Sequence, residues 1–207
     1  MAQILKFFDA EHEYVVGDKK IPAVSEILRF LSREMYSSIS QYTLDNAADR
    51  GKRVHKACEV LDKYGEAEID KDIEPYIKAY IQFRKDIAPE WTRIEYACYV
   101  DNDTLTVAGT LDRYGKVKGG QAIVDLKTTA TVHKPYVGAQ LNGYKLIAEA
   151  NGLKVDALYC LHLRKDGTYK LIEMPIDDTI FRACYAIHKI FEKKERTKSN
   201  GRSKADS

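Results

Sequence analysis

Two charged residues of opposite sign, Asp125 and Lys127, lie in an otherwise apolar stretch of the chain. The stretch 121–127 is rich in β-branched and other apolar residues, which predicts a β-strand. Because side chains alternate along a strand, both charged groups point to one face and Leu126 points to the other. A second carboxylate, Asp112, lies on the preceding predicted strand, so one interpretation is a site for a hard divalent cation beside a lysine. The alternative interpretation is an ordinary cross-strand ion pair on a solvated face of the sheet.

His55 and Glu59 form a second candidate pair, because they lie four residues apart in a helix predicted over 45–64. Side chains at this spacing stack on one face of a helix. This face borders the apolar stripe of the helix, where a side chain reaches inward and still meets water. A solvated contact between the two side chains also explains the pair. The stripe consists of Ala47, Gly51, Val54, Cys58 and Leu61.

A third candidate pair, Gln140 and Tyr144, lies in the helix predicted over 135–150. Gln140 falls within the inward-facing stripe of this helix, and a buried amide needs a hydrogen-bond partner. The hydroxyl of Tyr144, one helical turn later, reaches the same region. A core tyrosine beside a satisfied glutamine is the alternative interpretation. The other members of the stripe are Val137, Leu141 and Ala148.

The elements that must position these residues follow from periodicity and turn signals. Short links join the first three strands, which should therefore form an antiparallel meander. The element order predicts an α/β sandwich around one mixed sheet. Residues 1–44 are expected to pack on a core of 45–192, and the basic run 193–207 is expected to be a disordered tail. The predicted elements are a hairpin over 8–22 with its turn at Gly17 and Asp18, a brief helix capped near Ser25, helices over 45–64, 72–87 and 135–150, strands over 92–100, 104–113, 121–127, 155–163 and 168–174, and a final helix from near Asp177.

Composition restricts the class of protein. Among 207 residues, 33 basic and 31 acidic side chains leave a net charge of +2, so bulk charge does not indicate a nucleic-acid binder. No apolar run approaches ~18 residues and the first residues lack a secretory signal, which predicts a cytoplasmic protein without a membrane partner. The cysteines contain no C-x-x-C pair, which argues against a cysteine-bound zinc or iron–sulfur cluster and for small apolar core residues. They are Cys58, Cys98, Cys160 and Cys184.

Taken in order, the candidate residues resemble the motifs of the PD-(D/E)XK nuclease superfamily. The similarity is greatest to the branch that holds the RecB and AddB nuclease domains, the CRISPR adaptation nucleases and phage recombination exonucleases. It covers about 45–163, with a weaker similarity to phage-type exonucleases over 14–28, and the strand of the first acidic motif carries Gly-Thr-Leu-Asp in place of Pro-Asp. The motifs are G-x-x-x-H-x-x-x-E (Gly51, His55, Glu59), G-x-x-D (Gly109, Asp112), D-x-K (Asp125, Lys127) and Q-x-x-x-Y (Gln140, Tyr144).

The resemblance implies a restriction-endonuclease-like α/β/α core with a mixed central sheet, and a metal-dependent hydrolysis of DNA. Lys127 would orient the attacking water, Glu59 would support His55 or a second metal, and no iron–sulfur cluster is carried over. Gln140 and Tyr144 would position the scissile phosphate or the strand end. The Mg²⁺ or Mn²⁺ ligands implied are His55, Asp112, Asp125 and the Leu126 carbonyl, with Glu95 as a further candidate by analogy with phage members.

The expected function is therefore a DNA exonuclease of phage-type recombination or repair, although exonuclease activity rests on analogy with the branch and on no individual residue. A single-strand-annealing partner and a ring-shaped oligomer are expectations of the same kind. Two alternatives stay open: a structure-selective endonuclease of the junction-resolvase type, and a nucleic-acid-binding module without catalysis.

Overall fold

The amino-terminal part of the chain forms a small antiparallel sheet. The computed structural model of the protein describes residues 4–8, 13–37 and 39–202. The strands β1 (Leu5–Phe8), β2 (Glu13–Val16) and β3 (Lys19–Ile21) lie in the order β1-β2-β3. Gly17 begins the turn between β2 and β3 with a φ of 60°, which glycine adopts without steric cost. The predicted hairpin is thus confirmed, and β1 adds a strand that the sequence pattern did not indicate.

Two short helices follow this sheet, α1 (Val24–Ile27) and α2 (Arg29–Tyr36). The predicted cap at Ser25 is wrong, because Ala23 occupies the N-cap position of α1 and no side chain caps this helix. The second of these helices was not predicted at all. It has only eight residues, which is shorter than the window over which helical periodicity is recognised.

The next two helices carry one of the candidate pairs and its support. Helix α3 (Gln41–Tyr64) begins four residues earlier than predicted, because the Ser40 hydroxyl accepts a hydrogen bond from the Thr43 backbone N–H at 3.3 Å and caps it. Gly65 ends α3 in the left-handed conformation. Helix α4 (Glu74–Ile87) has a proline in its first turn, as predicted.

Five strands form the central sheet, in the order β4-β5-β6-β7-β8. The first three make the predicted antiparallel meander, β6 and β7 pair in parallel, and β7 and β8 are antiparallel. The sheet is therefore mixed, as expected. The strands are β4 (Glu90–Asp101), β5 (Thr106–Val117), β6 (Gly120–Lys127), β7 (Ala157–Leu163) and β8 (Tyr169–Met174).

Helices cover both faces of this sheet and give the expected α/β/α arrangement. Helix α5 (Lys134–Ala150) connects the parallel strands β6 and β7, as a crossover between parallel strands requires. Together with α1 and the last helix, α6 (Thr179–Arg202), it packs its apolar residues on one face. Helices α3 and α4 pack on the other face. The small amino-terminal sheet lies against β5, where the Ala108 backbone N–H donates to the Pro22 carbonyl at 2.9 Å.

The predicted disordered tail is wrong for residues 193–202, because α6 continues to Arg202. Lys, Glu and Arg have high helix propensity, so a helix already anchored on the core extends through this charged segment. Residues 203–207 lie outside the described part of the chain. The start of α6 agrees with the prediction, since the Asp177 carboxylate accepts from the Thr179 backbone N–H at 3.0 Å.

Two features of composition can be compared with the structure. Cys58, Cys98, Cys160 and Cys184 are all buried and form no disulfide, as predicted for apolar core residues. Across the described residues, no helix combines the length and the apolar character needed to cross a membrane.

Candidate active site

The antiparallel ladder between β5 and β6 ends where the two predicted aspartates lie. The last paired residues are Arg113 and Val124, and Asp112 and Asp125 follow immediately beyond them. The Asp112 carboxylate replaces the missing ladder bond, because its Oδ2 accepts from the Leu126 backbone N–H at 2.7 Å. Asp112 is nearly buried and is therefore fixed at the point where the strands separate.

His55 reaches this point from α3. Its Nε2 lies 2.9 Å from the Leu126 carbonyl, and its Nδ1 lies 3.5 Å from Asp112 Oδ1. Burial disfavours the imidazolium, but the negative charges of Asp112 and Glu95 outweigh it and raise the pKa of His55 to about 9. The predicted ligand carbonyl of Leu126 therefore contacts His55, although a carbonyl oxygen has a second lone pair for another partner.

Glu95 joins these two residues from the neighbouring strand β4. One donor atom each from His55, Glu95 and Asp112 lies within 4.8 Å of the other two. Burial and the nearby charge of Asp112 raise the pKa of Glu95 to about 7. Burial also opposes the charge on Asp112, but His55 outweighs it and lowers the pKa of Asp112 to about 2. Two carboxylates held this close repel each other, and a bound cation would relieve that repulsion.

Asp125 and Lys127 form an ion pair beside this group. Lys127 Nζ lies 2.6 Å from Asp125 Oδ2, and the side chains are 20% and 3% exposed respectively. Although burial disfavours the ammonium, the charges of Asp125 and Asp112 raise the pKa of Lys127, so the lysine is protonated. Burial raises the pKa of Asp125. Asp125 does not belong to the group of donor atoms formed by His55, Glu95 and Asp112.

Gln140 and Tyr144 are both buried on α5, as predicted. The Gln140 side-chain amide donates to the Tyr144 hydroxyl at 3.1 Å. The ring of Tyr144 lies directly against β5, because a Cβ at Gly109 would lie 2.7 Å from Tyr144 Cε1. Glycine is thus required there for the ring to reach the cleft. The Gln140 Oε1 atom is buried, and no hydrogen bond to it is found among the described residues.

Glu59 lines the same cleft but has other partners than predicted. Its carboxylate pairs with Lys63 at 2.6 Å and with Lys56 at 2.9 Å. Burial opposes its charge, but the two lysines outweigh it and lower the pKa of Glu59. The carboxylate therefore neutralises lysines along α3, while His55 contacts Asp112 and Leu126 instead.

A cleft of about 740 Å³ lies between α3, the central sheet and the small amino-terminal sheet, and its lining includes Glu59 and Tyr144 but not Asp125, Lys127 or Gln140. His55, Glu95 and Asp112 contribute to one part of its surface. Lys52 and Lys56 of α3 contribute basic groups. The cleft also has an aromatic part, which consists of Phe7, Tyr14 and Tyr144.

Three contributors to this site were not identified from the sequence. Tyr14 reaches the cleft from β2, and its hydroxyl lies 2.8 Å from Thr110 Oγ1. Lys52 precedes His55 by less than one helical turn, so helical periodicity alone could have placed it near the cleft. Arg113 follows Asp112 in a strand otherwise rich in apolar residues, and a charge at such a position was a usable signal.

Comparison with known proteins gives similarity of structure only. No family model matches the chain, and no curated protein matches it in sequence. An alkaline exonuclease (LHK-Exo) from Laribacter hongkongensis is 14% identical, with a TM-score of 0.41 over 72% of this chain and 85% of that one. Its complex with dAMP is 13% identical, with a TM-score of 0.45 over 89% and 94% of the two chains. The protein SSO0001 is 15% identical, with a TM-score of 0.37 over 56% of each chain. At these TM-scores the similarities establish neither a family nor an activity.

Proposed function

We propose that the chain is a divalent-metal-dependent deoxyribonuclease whose active site is the cleft around His55, Glu95 and Asp112. The observation that carries this proposal is the position of three donor atoms within 4.8 Å of one another, next to the Lys127–Asp125 ion pair at 2.6 Å. Two carboxylates and an imidazole beside an ammonium group suit phosphodiester hydrolysis, in which negative charge must be stabilised.

The donor set fits Mg²⁺ or Mn²⁺. Carboxylate oxygens are the ligands that both ions prefer, and one imidazole among them favours Mn²⁺ slightly. Asp125 is buried beside this donor set, where its Oδ2 lies in ion-pair contact with Lys127 at 2.6 Å. His55, Glu95 and Asp112 would hold the ion, with Asp125 and the Leu126 carbonyl as the remaining proposed ligands.

A bound divalent ion would supply Lewis-acid stabilisation of the phosphate and a lower pKa for a coordinated water. Lys127 is protonated and held by Asp125, so it acts as a fixed positive charge that orients the water and stabilises the charge developing on the phosphoryl oxygens. Its raised pKa argues against a role as general base in the metal-free protein.

The rest of the cleft is suited to a nucleic-acid strand. Lys56 is paired with Glu59, which it shares with Lys63, whereas Lys52 is exposed and forms no ion pair within the described part of the chain. Lys52 is therefore available to bind a phosphate of the backbone. Phe7 is half-buried and stacks on the buried Tyr14 with ring centroids 4.6 Å apart, and an aromatic side chain such as Phe7 can bind bases with little sequence preference.

Gln140 and Tyr144 would complete the site. The Tyr144 hydroxyl receives a hydrogen bond from Gln140 and can donate its own proton to a phosphate oxygen. Burial raises the pKa of Tyr144 well above its usual value, so it remains a neutral donor across the physiological range. We propose that the pair positions the scissile phosphate or the strand end.

Within this class we favour a DNA exonuclease of phage-type recombination or repair, working with a single-strand-annealing partner. The test is to incubate the purified chain with Mg²⁺ or Mn²⁺ and compare linear duplex with covalently closed circular duplex. An exonuclease degrades the linear form and spares the circle. Preferential cleavage of branched DNA would instead indicate a junction-resolvase-type endonuclease. Tight DNA binding without cleavage of any substrate would indicate a binding module and would contradict the proposal.

A matched pair of variants controls this test. Asp112→Asn removes one proposed ligand charge with little change of shape, so cleavage should be lost. Asp103→Asn makes the same chemical change in the exposed β4–β5 loop, away from the cleft, so cleavage should be retained. Equal activity of the two variants would remove Asp112 from the proposed mechanism.

A further inference from the structure

Arg113 is a buried cation that the proposed mechanism does not use. Its side chain is 0% exposed, and it is the largest of the fully buried side chains in the described part of the chain. A charge in such a position is retained only where it is paired and hydrogen-bonded. Its partners therefore indicate what it does.

The guanidinium contacts both acidic residues of the candidate metal group. Its Nη1 donates to Glu95 Oε1 at 3.0 Å and to the Asp112 main-chain carbonyl at 2.6 Å. Glu95 comes from β4 and Asp112 from β5, so one nitrogen fixes the relative position of a side chain and a backbone on neighbouring strands. The planar guanidinium suits this function, because its donors have a fixed geometry.

On its other side, Arg113 is anchored to the helices. Its Nε donates to Asp62 Oδ2 at 2.6 Å, and the same carboxylate oxygen accepts from the Tyr80 hydroxyl at 2.5 Å. Asp62 lies on α3 two turns after His55, the helix residue of the metal group. Arg113 thus connects the strand that carries Glu95 to the helix that carries His55.

Glu95 needs such support because its backbone is strained. Its φ of 48° lies in the left-handed region, which a non-glycine residue adopts at an energetic cost. In addition, its carboxylate lies close to that of Asp112, so the two negative charges repel each other before any metal binds. A strained and repelled carboxylate stays in place only if another group holds it.

We infer that Arg113 is a positioning residue. It holds Glu95 Oε1, so that the other carboxylate oxygen of Glu95 remains directed at the metal site that His55 and Asp112 would form. This inference rests on the proposed metal site. Hydrogen bonds to ligating carboxylates orient them, and loss of such a partner commonly weakens metal binding by about 10–100-fold. Buried Arg113 should therefore determine metal affinity without contacting the ion.

The test is a double-mutant cycle on Mn²⁺ affinity, measured by isothermal titration calorimetry with the full chain and no DNA. Arg113→Lys keeps the charge but cannot contact Glu95, Asp112 and Asp62 together, so Mn²⁺ affinity should fall by about tenfold or more. In a Glu95→Gln background, Arg113→Lys should lower Mn²⁺ affinity by less than about twofold, because the residue that Arg113 positions is then no longer a charged ligand. A full loss in both backgrounds, or wild-type affinity for Arg113→Lys, would overturn the inference.

Two further variants separate positioning from stability. Tyr80→Phe perturbs the same buried network on the side away from the metal, so it should lower the melting temperature and leave Mn²⁺ affinity within about twofold. If Arg113→Lys does not fold, Glu95→Asp gives the answer, because it keeps the charge but shortens the reach from Arg113 to the metal. It should weaken binding as much as Glu95→Gln, and wild-type affinity of Glu95→Asp would overturn the inference.

The same measurements distinguish failure of the inference from failure of the proposed function. Wild-type protein that binds no Mn²⁺ would contradict both. Wild-type protein that binds Mn²⁺ but cleaves no DNA would contradict the nuclease, whereas the cycle would still test the role of Arg113. Cleavage with normal Mn²⁺ affinity in Arg113→Lys would contradict the inference alone.

Discussion

Buried acids occur on two sides of β5, and their compensation differs. Asp62, on the side of α3 and α4, is 1% exposed and is paired with Arg113 at 2.6 Å and Arg84 at 3.4 Å. Near the cleft, three acids lie close together and each contacts one cation: Asp112 contacts His55, Asp125 contacts Lys127, and Glu95 contacts Arg113, the guanidinium that also pairs with Asp62.

This difference separates a structural ion pair from a candidate site. A buried acid whose charge is matched contributes to the fold and requires nothing further. Carboxylates that lie close to one another also repel each other, and the pKa values of Asp112 and Glu95 are shifted in opposite directions. A divalent cation between Asp112 and Glu95 would relieve their mutual repulsion.

The largest expected effect is on catalysis by the cleft acids. Asp112→Asn should reduce DNA cleavage roughly a thousandfold, because it removes charge from the metal group. It should lower the melting temperature by only a few degrees, because the lost attraction to His55 is partly offset by relief of the repulsion with Glu95. Cleavage rates and thermal unfolding, measured on the same preparation, check both expectations. A variant with a much lower melting temperature and wild-type cleavage would show that Asp112 supports the fold and not the reaction.

Lys127 provides the next largest effect. Lys127→Met should lower the cleavage rate by roughly 10²–10³-fold, because one preorganised positive charge is lost from the transition state. DNA binding should change little, which a fluorescence-anisotropy titration in Ca²⁺ can measure. Lys116→Met is the matched control on β5, where the lysine is half-exposed and 3.5 Å from Glu90. Similar losses from both lysines would mean that Lys127 has no specific role.

For Asp62, the buried acid paired with two arginines, we expect a loss of stability with little loss of cleavage. Asp62→Asn leaves Arg113 without its buried countercharge and should destabilise the fold by roughly 3 kcal/mol. Folded Asp62→Asn should retain cleavage within about tenfold of the wild type. Urea denaturation gives the first quantity and cleavage at low temperature the second. A stable but inactive variant would place Asp62 in the mechanism.

The smallest effect is expected for the basic side of the cleft. Lys52→Gln should weaken binding of single-stranded DNA several-fold and reduce the salt dependence of log Kd by about one unit of slope. Lys56→Gln should have a weaker effect, because Lys56 is already paired with Glu59 at 2.9 Å. Binding titrations across a salt series distinguish the two, and equal slopes for both variants would contradict the difference in pairing.

Much of the architecture could be predicted because its signals are local. Strand alternation indicated β4 to β8, and helical periodicity with Gly65 as a stop indicated α3. The burial of Gln140 followed from the same periodicity. The start of α3 was missed because Ser40 is one of several residues there that can cap a helix.

The arrangement of the site was less predictable, because it depends on contacts distant in the chain. Nothing in the sequence pattern shows that a glutamate will adopt a positive φ, so the position of Glu95 beside His55 and Asp112 was expected from the family resemblance alone. The contacts of Arg113 with Asp62 and Glu95 likewise join residues from three elements. Motif spacing indicates which residues matter locally, and only the folded chain shows which of them meet.

The most direct test of the central claim is anomalous diffraction from a crystal of the full chain soaked in Mn²⁺. We predict a peak in the cleft, within coordination distance of His55, Glu95 and Asp112 and beside the Lys127–Asp125 pair. Absence of a peak there, or a peak only at surface carboxylates elsewhere, would contradict the claim that these buried acids form a metal centre.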